Sequence, residues 1–574
     1  MNALKRFDHY VSVRDSTENE DDLLRANRDL KPTPPQERTW RTYNYIVVWF
    51  QSAFGVSSWN TGSSLMKATG LPYKQVIGGA ILTTFFCCLL VVVSARSGAD
   101  YHIGYPAVAR AVFGVRLGSF FVFVRMFVAA LWFGVQTYYG SRCFDIALRC
   151  MFGHKWTDIP NHIPDSAGIT TRLMVAFLLY WMAQFPLMFL HPRQIRWFFT
   201  VKGIIMPIAA FGLFIFCMIK GGGPGDYDIG VKVEKVSTTG NQWIHMINSI
   251  IGSVSAMIIN QPDIARYAKK KHSATWPQSI GYIPSTLAIL LIGMASNASI
   301  RRAYGESYWS MWDLMTAILE NEWGPGTRCA VFLCSLSFAV GAAGTNIFGN
   351  SIPFAADLCG LLPKYFTIVR GQIFLGLLAW AMVPWKMINS AATLVSFLGS
   401  YSIFVAPLLG CLLSDFYIIR KGNIHVPSLY TKNPKGIYYF YKGCNLWAGA
   451  AWVISPIIAI PGLYRSYHAD ALTQTASDIF YGGWLYTFII GFVAYTALGL
   501  YFKPKIYPDA YSETPKTWEY LVDTNGFFED DEPINGVGYP GTVIEEEKDV
   551  ASGSYEHKSD DIQVVMSARS VGQM

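Results

Sequence analysis

Residues 49–65 read WFQSAFGVSSWNTGSSL. The run opens as an apolar membrane segment and then fills with Gly55, Ser57, Ser58, Asn60 and Thr61. A lipid-exposed stretch cannot leave backbone polar groups unpaired, so a span interrupted in this way must line protein or a water-filled cavity. Whether the interruption is a hinge or a packing face decides what kind of membrane protein the chain makes.

The surrounding composition is that of a membrane protein. The 574 residues are 52% hydrophobic and only 15% charged, with 37 Phe, 32 Tyr and 18 Trp. Charges collect at the two ends and in short loops between apolar runs, which excludes a soluble multidomain chain and predicts an all-α polytopic membrane protein solvated by lipid. At about 20 apolar residues per span, about twelve spans are centred near residues 55, 85, 130, 180, 207, 252, 288, 342, 377, 404, 453 and 490. An even number puts both termini on one side. Arg96, Arg110 and Arg116 follow the second span, Arg193 and Arg196 the fourth, Arg266 with Lys269 to Lys271 the sixth, and Arg420 with Lys421 the tenth. By the positive-inside rule those loops and both termini are cytosolic, although Arg301 and Arg302 fall on the other side.

Three regions follow. Residues 1–42 form a cytosolic N-terminal tail without the apolar core of a signal peptide, 43–503 the transmembrane transporter domain, and 504–574 an acidic, disordered cytosolic tail with clusters at 529–532 and 545–549. Lys548 and Lys558 in that tail fit ubiquitin-directed turnover. The net charge of +7 is spread over many loops and reads as topology, not as a nucleic-acid footprint. Ten cysteines are scattered without CxxC or Cys/His metal spacing, as buried small hydrophobes are. The chain carries no GxxxxGK[ST], HExxH or GxSxG motif, so neither ATP-driven transport nor hydrolysis is expected, and no cofactor is implied.

An internal echo bears on the opening question. The first span carries FGVSS at 54–58, and the sixth carries IGSVS at 251–255. Glycine-interrupted spans in corresponding positions of two halves point to an inverted-repeat transporter with broken helices 1 and 6. The competing reading is that Gly and Ser only permit close helix packing.

Polar residues inside other spans suggest what such a cavity would hold. In the third span Trp132 and Gln136 lie four residues apart on one helix face. An indole can stack on a planar ring while the amide offers donors and an acceptor to its edge. In the eighth span, Gly341, Thr345, Asn346 and Asn350 make an apolar helix locally polar. A buried amide needs a partner, whether a neighbouring helix or a substrate. Arg125 and Lys202 are sparse intramembrane cations that can bind an anionic group or snorkel to a span end. Asp263, Asp357 and Asp415 fall near predicted cytosolic or interfacial ends, where gating pairs with Arg266 or Arg420 and proton relay are both open readings.

Six ordered motifs, ERTWRTYNYIVVWFQSAFGVSSWNTGSSL, HIGYPAVARAVFG, WFGVQTYYG, NQPDIARYAKKK, GTNIFGNSIPFAADLCGLLPKY and SDFYIIRKG, span roughly residues 30–505. Their order resembles the fungal uracil/uridine/allantoin permease branch of the nucleobase cation symporter-1 family. The resemblance implies a LeuT-type five-plus-five inverted repeat with two extra helices, and cation-coupled uptake of a nucleobase or related heterocycle across the plasma membrane. It also implies that Trp132 stacks on the substrate, that Gln136 and Asn350 hold its edge, and that Gly55 and Val254 line the cavity, Val254 standing where a bacterial relative has a second stacking Trp. The same bacterial relative's sodium ligands align with the backbone of Gln51, Phe54 and Gly341, with Gly344 in place of a Ser, and with Thr345. With one hydroxyl missing the sodium site is incomplete, and a proton is the expected coupling ion. A cytosolic gate is expected around Asp263 and Arg266. Sister branches make a thiamine- or nicotinamide-riboside-type permease the alternative substrate reading, and a non-transporting nutrient sensor the alternative class.

Overall fold

The first apolar segment does break, and the break is two residues wide. Helix α1 (Thr42–Ala53) ends at Phe54, and α2 (Val56–Thr69) begins beyond Gly55. The Gly55 amide turns back to the Ala53 carbonyl at 2.8 Å, and the helical ladder resumes with Trp59 N donating to Gly55 O at 3.1 Å. Residues 57–61, which carry most of the polar side chains, are therefore helical. Asn60 and, just beyond, Ser63 reach residues 309–311: Met311 N donates to Asn60 Oδ1 at 2.9 Å, and Ser63 Oγ donates to the Trp309 carbonyl.

The structure, a computed structural model, describes residues 12–13, 29–192, 195–223, 238–388, 390–430, 434–468 and 472–506. The acidic tail expected at the C-terminus lies outside the described residues beyond 506, as does most of the N-terminal tail. After α2 come α3 (Tyr73–Tyr101), α4 (Tyr105–Phe113), α5 (Val115–Phe152), α6 (Thr171–Gln184), α7 (Arg196–Gly221), α8 (Thr239–Ile259), the short α9 (Gln261–Ala265), α10 (Pro277–Tyr304) and α11 (Met311–Asn321). Helix α12 (Pro325–Asn346) passes through a π-turn, Ile347–Ser351, into α13 (Ile352–Leu361). The chain closes with α14 (Ile368–Leu378), α15 (Ala391–Leu413), α16 (Leu446–Ile454), α17 (Ile460–Tyr467) and α18 (Gly483–Phe502). Apart from two isolated bridges, the described residues hold no strand.

Among the described residues, nine helices are long and apolar enough to cross a membrane, or ten if the pair 446–458 and 460–467, bent by 46°, is one span. Two further centres of the twelve fall on the interrupted α1–α2 segment and on the eleven-residue α14. Outward faces are those of lipid contact: Leu82, Phe85, Phe123, Ile208 and Val493 are all exposed. Inside, α5 packs along α12, and α10 lies against α1, α2 and α7. Close approach depends on glycine. A Cβ on Gly62 would sit 2.4 Å from the Leu290 carbonyl oxygen, and one on Gly98 2.5 Å from that of Pro262.

The sixth span corrects the sequence reading. IGSVS is uninterrupted helix inside α8, and the joint falls later, at Asn260 between α8 and α9. Its small residues serve packing. A Cβ on Gly252 would lie 3.1 Å from the Leu398 carbonyl, Ser253 Oγ donates to the Ile250 carbonyl at 2.7 Å, and Ser255 Oγ accepts the Trp484 indole N–H at 2.7 Å. Each polar group has a protein partner, so nothing requires the helix to open.

Candidate functional site

Trp132 and Gln136 project from the middle of α5 and are both buried. The Trp132 ring is boxed edge-on by Phe397 (centroids 5.4 Å apart, 63°) and Tyr401 (6.1 Å, 90°) from α15, an arrangement that fixes the plane of the indole. Asn350 sits in the π-turn, where the wider backbone ring re-aims residues of the eighth span. Its Nδ2 donates to Asn346 Oδ1 at 2.9 Å, and Asn346 Nδ2 donates in turn to the Phe133 carbonyl (3.1 Å) and Thr137 Oγ1 (3.0 Å) of α5. The polar patches of the third and eighth spans are thus joined through Asn346. This leaves the Gln136 side chain with no hydrogen bond among the described residues, and the Asn350 side chain with only one. An amide carries two donors and two acceptor lone pairs, so both side chains retain capacity in a buried setting.

The joint α8–α9 closes the same region. Asn260 Nδ2 donates to the Gly349 carbonyl at 2.8 Å, while its Oδ1 is buried without a partner among the described residues. Met257, one turn earlier, faces Gly349. Val254 is buried on α8 three residues before Met257, and its isopropyl group cannot supply a stacking face. Sequence reasoning assigned no role to Asn260, although its Asn-Gln-Pro setting was a signal that the helix would turn there.

The proposed cation ligands converge on Lys202, a side chain that the sequence left open between anion binding and snorkelling. Lys202 of α7 is fully buried and does not snorkel. Its Nζ donates to Thr345 Oγ1 at 2.5 Å, and a Cβ on Gly344 would meet Lys202 Cδ at 2.7 Å. A side chain at 344 would therefore crowd the lysine stem. Gly55 lies beside Thr345 (3.7 Å from a built Cβ), and Gly203, next to Lys202, abuts Gln51. Gln51 is buried, with Oε1 unpartnered among the described residues; Phe54 caps α1, and Gly341 packs on Met206. Lys202 Nζ and its stem thus occupy the space beside Thr345 and Gly344, where the resemblance placed two of the sodium ligands.

The gate region also departs from expectation. Asp263 faces Arg125 instead of Arg266: Arg125 Nη1 donates to Asp263 Oδ2, Nε and Nη2 form a fork on Asp357 (2.8 and 2.5 Å), and the guanidinium lies 3.8 Å over the Tyr105 ring. Asp263 Oδ1 accepts the Tyr105 amide at 2.9 Å. All three charges are buried, so Arg125 does not snorkel either. Arg266 instead clasps the N-terminal strap, donating to Thr33 Oγ1 (2.7 Å), the Asp29 carbonyl (2.9 Å) and the Lys31 carbonyl (2.5 Å). Asp29 Oδ2 accepts the Ile368 amide at the start of α14 (3.0 Å), and Tyr430 donates to the Leu30 carbonyl (3.1 Å). Asp415 pairs with Arg420 at 2.8 Å, one of the two readings the sequence left open.

Residues 32–486 match the family described as permeases for cytosine/purines, uracil, thiamine and allantoin. The chain belongs to that permease family. It is a transporter, not an enzyme. The chain is similar to the allantoin permease of Saccharomyces cerevisiae, 32% identical over 86% of this chain and 78% of that protein, and to the uracil permease of the same yeast, 31% identical over 84% and 77%. Among solved structures it resembles Mhp1, a nucleobase-cation-symport-1 family transporter held closed with bromovinylhydantoin, at a TM-score of 0.64 and 20% identity over 85% of this chain and 98% of that one. That likeness shows the fold: the all-α polytopic architecture expected from the resemblance is the one the chain adopts.

Proposed function

We propose that this permease imports a planar lactam-bearing heterocycle of the uracil, uridine or allantoin type across the plasma membrane, by symport with a proton, with both termini cytosolic. The observation that carries the substrate reading is the pair of buried, under-used amides, Gln136 and Asn350, beside an indole whose plane is fixed by Phe397 and Tyr401. Two amides offering both donors and acceptors match the alternating N–H and C=O groups of such a ring, and relatives named for allantoin, uracil and uridine transport support the same class. The residues assigned to the substrate are Trp132, Gln136 and Asn350, with Gly55, Val254 and Asn260 around them.

Lys202 supports the coupling reading. The buried Lys202 amine stands on Thr345, and when protonated it carries the positive charge that a bound sodium ion would otherwise bring to the same helices. Such a site gains and loses charge by proton transfer rather than by ion exchange. Arg125, Asp263 and Asp357 are assigned to the cytosolic closure. Radiolabelled uptake of uracil, uridine, allantoin and thiamine, with and without sodium and a protonophore, tests both parts. Accumulation of a pyrimidine or hydantoin-like solute that ignores sodium and collapses with the protonophore is expected. Thiamine uptake alone would move the substrate reading to the sister branch, and binding without accumulation would favour a sensor.

A further inference from the structure

A cavity of about 300 Å³ lies beyond Gln136 along α5. It forms around Arg142, ten residues beyond Trp132 on α5 and therefore about 15 Å further along the helix, toward the end opposite the Arg125 cluster. Its walls come from α5, the loop before α6, the start of α11 and the turn ahead of α15. The volume stands at the lower bound of cavities that hold small molecules.

The lining is unusual for a water-filled entrance. Three indoles, Trp309, Trp312 and Trp385, and the phenol of Tyr138 surround the cation Arg142 and the anion Asp313, with a second carboxylate, Asp165, at the rim. Trp309 and Trp312 stand edge-to-face at 5.7 Å, and the Arg142 guanidinium lies 5.3 Å over the Trp312 ring. Arg142 Nη1 donates to Tyr138 OH at 3.2 Å, but its Nε is buried with no hydrogen-bond partner among the described residues. Nη2 stands 3.5 Å from Asp313 Oδ1, and the other carboxylate oxygen accepts from Ser310 Oγ at 2.5 Å. At 3.5 Å the pair attracts but does not saturate either group. A donor and an acceptor thus sit side by side among aromatic faces, with the Asp313 side chain 42% exposed to incoming solute.

We infer that this cavity is a second ligand subsite, on the approach to the central one, for a planar heterocycle with a lactam edge: its carbonyl on Arg142, its adjacent N–H on Asp313 Oδ1, its ring against the indoles. The assignment rests on the transport reading above and deepens it, because the same edge is read twice, first by a charged pair and then by two amides. Charge-assisted hydrogen bonds of this kind contribute enough for removal of either partner to weaken binding about tenfold or more.

The test uses purified full-length protein and radiolabelled uracil, with allantoin as the second probe. Wild type should show two saturable components. Arg142→Gln and Asp313→Asn should each lose or weaken at least tenfold the lower-affinity component and keep the other, while Asn350→Ala should do the reverse. To guard against misfolding, Asp165, exposed at the rim, is changed to Cys in a Cys329→Ser, Asn350→Ala background. Uracil should then slow labelling of Cys at 165 by a membrane-impermeant maleimide, although the central site is disabled. A single component unchanged by R142Q and D313N, with no protection at 165, overturns the subsite and leaves the transport reading standing. Wild type without saturable uptake of any pyrimidine or hydantoin-like solute overturns the transport reading and the subsite together.

Discussion

Replacing Arg125 with Met tests the buried charge network most directly. The guanidinium is the shared cation of Asp263 and Asp357, with a fork of 2.8 and 2.5 Å on the latter, and all three side chains are at most 2% exposed. Removing one partner of a buried pair costs roughly 3 to 5 kcal/mol, because the remaining charge is left uncompensated. Here one substitution strands two carboxylates. Among the described residues only Asp263 keeps a second donor within reach, the Tyr105 amide at 2.9 Å. Strictly additive losses would reach about 10 kcal/mol, but neighbours in one network do not add, so the expected loss is at least about 3 kcal/mol and well below the sum. The triple variant R125M/D263N/D357N removes all the charges and should recover most of the stability, since uncharged replacement of a whole buried network is often neutral. It should not recover transport, because α5, α9 and α13 lose the contact that holds them in register. Fluorescence-detected size-exclusion thermostability of the three proteins, with uptake in parallel, measures both. R125M melting with wild type, or the triple variant melting as low as R125M, would refute the reasoning.

Three further outcomes follow from other contacts. Lys202→Met keeps the stem and removes the ammonium; the protein should remain as stable as wild type or become slightly more so, while concentrative uptake falls to equilibration, measured as the accumulation ratio in energised cells. Gly98→Leu drives a side chain against the Pro262 carbonyl, 2.5 Å from even a Cβ, and overpacking of this sort should cost about 1 to 3 kcal/mol, read as a lower melting temperature and reduced surface expression. His102 caps α3 beside the strap, and burial, followed by the charges of Arg38 and Arg266, holds its imidazole down to about 3. The folded value lies below the unfolded one of about 6.5, so the neutral form is bound by the fold and stability is lost as pH falls from about 6.5 toward 3. In His102→Asn, a residue that tolerates the left-handed backbone found there (φ 55), the drop in melting temperature between pH 7 and pH 5 should shrink.

Much of the architecture was legible because lipid selects for it: apolar runs near the length of a bilayer must be helical, and all twelve expected centres fall on described helices or on the α1–α2 interruption. The hinge at Gly55 was legible for the same reason. Its apparent twin, IGSVS, was misleading because Gly and Ser look alike whether they open a helix or pack one. The partners that decide, Leu398 and Trp484, lie more than a hundred residues away in sequence. The buried ion network was half visible. Arg125, Asp263 and Asp357 could each be seen as isolated charges that must find partners, but separations of 138 and 232 residues hid which partner each would take. Lys202 shows the same limit from the other side: Gly344 read as a missing ligand, and only the packing shows that the lysine stem occupies its space. The cavity around Arg142 left no periodic trace because loop residues build much of it.

The strap at residues 29–33 has a consequence for how the protein is made. It emerges early in synthesis, yet its partners Arg266, Ile368 and Tyr430 follow 237, 339 and 400 residues later. At the usual pace of elongation that is a wait of roughly 20 to 80 s. Leu30 is buried in the finished fold, and the residues that bind the strap around it come from these later segments. The strap can seat only after the helices bearing its partners have been threaded into the bilayer and assembled. It is therefore a late clasp, and its docking marks a chain that has been made and assembled at least as far as Tyr430.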